Sequence, residues 1–301
     1  MKTTEIKTYL MAIAAMSFWG MSYVWVKIVY EFYNPLTTVF LRLFFATILL
    51  VTIKYLFKIG LTPRKGDMKY LVLLSIAEPF LYFLGESFGL QRISSTLASV
   101  MVSTIPLFAM LAARVLFQER MSLVNTIGVF ISFAGIIIMV LEPDFSLKED
   151  PVGILLMLVA VLSAVVYTMM VKKLSETYKP ITILTWQNIY GTILFLPLFL
   201  IFDYQSFIKV PFQWPLAFTL AQLVIFASIL AFFFFITAIE KIGIARANVF
   251  TNFVPVVTAV SAWFILPDEH FSIKTFAGVF VVIVGIYISQ RKSKTLIINN
   301  Y

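Results

Sequence analysis

The sequence predicts an all-α polytopic membrane protein, with ten transmembrane helices arranged as two inverted five-helix repeats. Three observations carry that expectation. Hydrophobic residues fill 61% of the 301 positions and charged residues only 13%, far from the balance of soluble globular chains. The apolar residues fall into ten stretches of about 20, the length that crosses ~30 Å of hydrocarbon. Finally, QERMSLVNTIGVFISFAGI (118–136) is nearly rewritten as PDEHFSIKTFAGVFVVIVGI (267–286). At an offset of 150, Glu119, Ser122, Gly128 and Gly135 meet Glu269, Ser272, Gly278 and Gly285.

The first stretch, 9–29, begins behind Lys2 and Lys7 as a signal peptide would, but it runs too long for a cleaved core and reads as a retained span. The second, 35–57, ends among Lys54 and Lys58, and the third, 69–89, starts after Arg64 and Lys65. The fourth, 95–117, and the fifth, 122–141, are separated by a short turn carrying Arg120. The acidic loop EPDFSLKED (142–150) precedes the sixth, 152–171, which ends at Lys172 and Lys173. Lys179 introduces the seventh, 180–202, and the eighth follows at 215–239. Lys241 and Arg246 mark the turn into the ninth, 244–266; the tenth, 272–290, ends at Arg291 and Lys292.

Lys and Arg avoid translocated loops. Of the 23 basic side chains, 17 fall on one side, while Lys27, Arg92, Lys148, Lys209 and Lys274 fall on the other and Arg42 lies within the second span. Both termini are therefore expected in the cytoplasm. Five spans is an odd number, so the second repeat (146–301) is inverted relative to the first (1–145). The likeness extends upstream at an offset of 149, where ISSTLASVMVSTIP (93–106) matches IGIARANVFTNFVP (242–255), pairing Ile93 with Ile242, Ala98 with Ala247 and Pro106 with Pro255. The first spans match weakly, through Ser17 with Ser163 and Lys27 with Lys173. Inverted halves are a common construction of secondary transporters that open a central site alternately to either side, although some channels share it.

Several function classes are excluded. No polar stretch exceeds roughly fifteen residues, so no soluble domain of ~50 residues is hidden in the chain, and the net charge of +8 reflects orientation rather than a nucleic-acid partner. With no cysteine and one histidine, the chain is expected to carry no disulfide, no metal centre and no cofactor. HExxH and P-loop patterns are absent, which argues against an intramembrane enzyme and against direct ATP drive. The expected partners are a small-molecule substrate and the lipid bilayer; the oligomeric state, monomer or homodimer, is open.

Ionisable groups inside a membrane are costly and are default candidates for function. Here they are Arg42 in the second span and Glu78 and Glu86 in the third. Counted as one helix, the two carboxyls lie close to one face and about 12 Å apart. Either Glu78 exchanges a proton in transport, or Arg42 and a glutamate form a fixed pair. FWGMSYVW (18–25) and TWQNIYG (185–191) bring stacking and hydrogen-bonding groups together, which suits a cavity for an amphipathic metabolite. Trp19, Tyr23, Trp186, Gln187, Asn188 and Tyr190 are the candidates, with Asn248 and Asn252 on one face of the ninth span. Interfacial aromatic belts and amide contacts between helices are the alternative. Pro106 and Pro255, at corresponding places, are expected to bend their helices as hinges or static kinks. The seven-residue spacing of Gly128 and Gly135, and of Gly278 and Gly285, suits close helix contact, within one chain or at a dimer surface. Glu119 and Glu269 are expected at helix N-termini, and His270 in solvent.

Three further stretches carry a family likeness: SFWGMSYVWVKI (17–28), FLRLFFATILL (40–50) and ASVMVSTIPLFAMLAARVLFQERMSLVNTIGVFISFAGIII (98–138), the last with a second copy from Ala247. Through them the chain resembles the drug/metabolite transporter superfamily, specifically ten-helix members with two EamA domains. The resemblance covers nearly the whole chain. It implies a bacterial inner-membrane transporter of small polar metabolites, often an exporter of amino acids, with a central cavity lined by both repeats. Proton coupling and a channel-like permease both remain open.

Overall fold

A computed structural model of the chain describes residues 3–59, 62–93, 98, 101–118, 122–140, 150–265 and 273–289. Glu119, Glu269, His270 and most of the acidic loop 142–150 lie outside the described residues. Those described are almost wholly helical: α1 (Thr3–Tyr30), α2 (Pro35–Phe57), α3 (Lys65–Leu90), α4 (Ile105–Phe117), α5 (Leu123–Val140), α6 (Pro151–Leu174), α7 (Pro180–Phe207), α8 (Trp214–Ile242), α9 (Ile244–Ile265) and α10 (Ile273–Ser289). Seven of these, α1 to α3 and α6 to α9, are long and apolar enough to cross a membrane; α4, α5 and α10 supply shorter apolar stretches among the described residues.

Proline at the first or second helical position opens α2, α6, α7 and α8, where its missing N–H costs nothing and its fixed φ suits the helix. Asp150 caps α6 by accepting from the Val152 N–H at 2.9 Å, and Arg92 donates to the same carboxylate at 2.9 Å, which together hold that carboxyl below its ordinary range. At the opposite end of the bundle, Tyr178 donates to Asp67 at 2.6 Å and accepts from the Arg64 N–H at 3.0 Å, and the bond to Asp67 pushes the phenol up. A single residue, Gly243 at φ 85°, links α8 to α9. A side chain there would be strained.

The packing exchanges helices between the repeats. α1 lies against α8 and α9 of the second repeat, whereas its counterpart α6 lies against α3 and α4 of the first. Glycine permits both approaches: a Cβ on Gly20 would fall 2.6 Å from Val257 Cβ, and one on Gly85 would fall 2.5 Å from the Leu156 carbonyl oxygen. α2 packs on α7, and α5 packs on α10. Two mixed bodies result, one of α1, α8 and α9 and one of α6, α3 and α4.

The α5–α10 pair shows what the glycine spacing is for. A Cβ on Gly128 would lie 2.7 Å from Ser289 Cα, one on Gly135 2.8 Å from the Gly278 carbonyl oxygen, and one on Gly285 2.6 Å from Ser132 Cα. Asn125 completes the seam by donating to the Ser289 carbonyl at 2.7 Å. The glycines therefore serve a contact within one chain, and this face is filled by the chain itself rather than by a second copy.

Two expectations about α3, α4 and α9 are modified. α3 is not one continuous helix: Glu78 has extended backbone (φ −147°, ψ 122°) just before Pro79, so counting helical rise from Glu78 to Glu86 is invalid across that break. Pro106 stands in the first turn of α4, and Pro255 follows a 3₁₀ turn at Phe250–Phe253. The two prolines thus sit beside irregular backbone at corresponding places.

Candidate functional site

Between the two mixed bodies lies a cavity of about 820 Å³, counted to the surrounding atoms and including its open mouth. α1 contributes Trp19, Tyr23 and Tyr30; α3 contributes Glu78, Tyr82, Phe83 and Glu86; α6 contributes Tyr167; α8 contributes Phe232 and Phe235; α9 contributes Asn248 and Thr251; and α2 inserts Arg42. Six of the sequence candidates therefore meet here: Trp19, Tyr23, Arg42, Glu78, Glu86 and Asn248.

Each is held by a definite partner or conspicuously lacks one. Trp19 donates its indole N–H to the Ala227 carbonyl at 3.2 Å, within a π-helical turn of α8 (Leu223–Leu230), and its ring stands edge-on to Phe232 and Phe235. The same turn supplies Ser228, whose Oγ accepts from Arg42 Nε at 3.2 Å. The guanidinium carbon lies 4.9 Å from the Phe83 ring centroid, an attractive cation–π arrangement. No ion pair within 4.0 Å joins Arg42 to a carboxylate among the described residues. Glu86 instead accepts two phenol hydroxyls on Oε1, from Tyr23 at 2.8 Å and from Tyr82 at 2.9 Å. Glu78, 6% exposed, has no hydrogen bond among the described residues, and its oxygens are not sealed from the cavity. Asn248 donates to the Ile244 carbonyl at 2.9 Å, leaving its own amide oxygen buried without a partner.

The remaining candidates lie around this cavity rather than in its wall. Gln187 accepts from the hydroxyl of Tyr167, a cavity residue, at 3.2 Å. Asn252 donates to Ser132 of α5, and Asn188 donates to the Leu184 carbonyl at 2.9 Å; both leave an amide oxygen buried and unpartnered. Trp186 faces Lys54, whose Nζ is 5.6 Å from the ring centroid. Tyr190 donates to Met68 Sδ at 3.6 Å.

Sequence reasoning missed Tyr82, Phe83, Tyr167, Phe232 and Phe235. Tyr82 was findable, since it stands four residues from both Glu78 and Glu86. The ionisable groups of the wall, Arg42, Glu78 and Glu86, all belong to the first repeat, whereas the second gives aromatic, amide and hydroxyl groups. Counting from Pro35 and Pro180, which open α2 and α7, Arg42 corresponds to Gln187. One fold position carries a guanidinium in one half and a neutral amide in the other.

Against known proteins, the chain matches the EamA-like transporter family over residues 6–141 and again over residues 151–290. The chain belongs to that family. This EamA-like transporter is 28% identical over 287 residues to an uncharacterized transporter of Archaeoglobus fulgidus, covering 95% of this chain and all of the relative. It is 26% identical to the uncharacterized transporter YetK of Bacillus subtilis, covering 96% and 88% of the two chains. A solved crystal structure superposes with a TM-score of 0.74 at 15% identity, over 94% of this chain and 96% of the other, and shares the fold. The EamA-like chain is thus an integral membrane transporter built from two repeats, and its ligand is a small molecule.

Proposed function

We propose that this EamA-like chain is a secondary-active exporter of small polar metabolites such as amino acids, working by alternating access at the cavity between its mixed bodies. The observation that carries this reading is the composition of that cavity: a guanidinium and two carboxyls from the first repeat stand among aromatic rings supplied by both repeats. A compound with charged and apolar parts finds complementary surfaces there. Inverted repeats, 1–145 and 146–301, exchange conformations and open such a site to either side. The lysine and arginine asymmetry supports an orientation with both termini cytoplasmic, and the family resemblance supports the bacterial inner membrane as its location. Pro106 and Pro255, beside irregular backbone, serve as hinges. Gln187 acts on the cavity through Tyr167, while Trp186, Asn188, Tyr190 and Asn252 shape the elements behind it.

Proton coupling is assigned to Glu78, which faces the cavity without a protein partner. Purified protein in proteoliposomes loaded with mixed amino acids and metabolites tests the reading, with release followed by mass spectrometry with and without a pH gradient. Selective, saturable release of one compound class supports it. Release no faster than from protein-free vesicles, with folded protein in both orientations, overturns it, and non-saturating flux indicates a channel-like permease. Glu78→Gln is expected to flatten the pH dependence of transport; an unchanged profile removes the proton-carrier role.

A further inference from the structure

Glu86 stands out among the cavity groups because its two hydrogen-bond donors come from different bodies. Tyr82 is one turn away on α3 itself, but Tyr23 reaches across from α1, where Tyr30 also meets Ser87 of α3 in an otherwise sparse contact. α1 belongs with α8 and α9, and α3 with α6. The Tyr23–Glu86 bond therefore spans the cavity and ties one mixed body to the other.

The carboxyl also makes no direct ion pair among the described residues, although Arg42 is near enough to act on it through space. Arg42, the basic side chain of the cavity wall, is held by Ser228 and Phe83 and makes no ion pair with it within 4.0 Å. Both donors to Glu86 use Oε1, and Oε2 has no hydrogen bond among the described residues and is not sealed off. The same cavity wall carries the rings of Trp19, Tyr23, Tyr30 and Tyr82. Aromatic faces beside a carboxylate are the setting in which ammonium groups bind best, and a charged N–H donor outcompetes a neutral phenol for a carboxylate oxygen.

We propose that Glu86 is the receptor for a cationic amine on the transported compound, and that Tyr23 occupies it until that amine arrives. Binding exchanges the phenol hydroxyl for the ammonium, removes the Tyr23 tie between α1 and α3, and loosens one body against the other. Tyr82, on the same helix as Glu86, stays bonded throughout and keeps the carboxylate oriented. This rests on the transport reading above for its physiological meaning, but its test does not require flux.

The chain has no cysteine, so spin labels can be placed at will. Glu31→Cys and Gln91→Cys put exposed labels just beyond the ends of α1 and α3. Distances between them in lipid nanodiscs are measured by pulsed electron resonance, with 2-phenylethylamine and 3-phenylpropionate as probes matched in their apolar part. Tyr23→Phe is expected to lengthen and broaden the distribution without ligand, and Tyr82→Phe to leave it unchanged. In the parent, 2-phenylethylamine is expected to reproduce the Tyr23→Phe distribution and 3-phenylpropionate to have no effect. Glu86→Gln, which keeps an acceptor for Tyr23 but loses the charge, is expected to lose the amine response. The proposal is overturned by a parent-like distribution in Tyr23→Phe, by an equal response to both probes or none to the amine, or by an amine response that survives Glu86→Gln. Failure of metabolite release in proteoliposomes would count against the export reading and leave these distances unaffected.

Discussion

Asp203, at the far end of the second repeat's α7, caps the first repeat's α2 by accepting from Thr37 twice, from the backbone N–H at 2.9 Å and from the hydroxyl at 3.0 Å. Asn34 adds a third donor at 3.2 Å. The first N–H groups of a helix have no partner within it and carry the positive end of its dipole. Here they are satisfied by a buried carboxylate from another helix, so the α2–α7 contact between repeats is fastened by charge at one end.

Asp203→Ala is expected to lower stability by about 1–3 kcal/mol, the cost of leaving buried donors unsatisfied. Asp203→Asn is expected to cost less, because a carboxamide oxygen still accepts from the Thr37 N–H. Thermal unfolding of the two variants in the same detergent gives the ranking, and equal stability for all three proteins would show that the cap contributes nothing.

A methyl group at Gly285 has nowhere to go, since its Cβ would overlap the Ser132 backbone with Cα only 2.6 Å away. Backbone on both sides cannot yield as the tip of a flexible side chain can. Gly285→Ala is expected to cost about 1–3 kcal/mol or more. Gly66, with nothing within 4 Å of an added Cβ, is the control, and Gly66→Ala is expected to stay within about 0.5 kcal/mol of the parent. Matching effects at the two sites in an unfolding titration would refute the α5–α10 seam.

Span positions were legible because twenty apolar residues in a row have few other uses, and the glycine seam was legible because it is written twice at one offset. The break in α3 was legible too, in the Glu78–Pro79 pair, but it is overlooked when the stretch is scored by hydropathy alone. What the sequence hides is the rotation of each helix. A helix in lipid is apolar nearly all round and loses the one-sided pattern that orients a helix on a soluble core. TWQNIYG therefore looks as well suited to a cavity as FWGMSYVW does, although only the latter lies in the wall. Partners far apart in sequence are hidden for a related reason: Tyr23 and Glu86 are each visible, but nothing in the chain pairs them, and Asp203 reads as one more polar residue at the end of a span.

The Arg92–Asp150 bridge gives a pH dependence of known sign. Its carboxyl titrates below the ordinary 3.8 in the folded protein because Arg92 and the Val152 N–H favour the charged form. A group depressed on folding stabilises above its unfolded value and loses that contribution as pH falls through its folded value. The parent is expected to melt above Asp150→Asn at neutral pH, with the gap closing as pH is taken well below 3.8. Added salt should narrow the gap as well, because both side chains are substantially exposed. A gap that persists in acid would locate the effect in the cap geometry rather than in the charge.

Arg42 tests whether the cavity needs a guanidinium or merely a positive charge. Its Nε is spent on Ser228 and its plane lies over Phe83, while its terminal amino groups have no hydrogen bond among the described residues and are not sealed from the cavity. That leaves a fixed, outward-facing fork suited to a carboxylate. Lysine keeps the charge but replaces the fork with a flexible point donor and cannot bond Ser228 side-on. Arg42→Lys is therefore expected to lower the initial rate of release from proteoliposomes by about tenfold, the effect of losing ~1.4 kcal/mol of binding. Ser228→Ala removes only the support and is expected to cost less, since the fork can still be steadied by Phe83. If Arg42→Lys transports as well as the parent, charge alone suffices and the guanidinium is not a substrate anchor. If Ser228→Ala is the more damaging change, Arg42 acts mainly in joining α2 to α8.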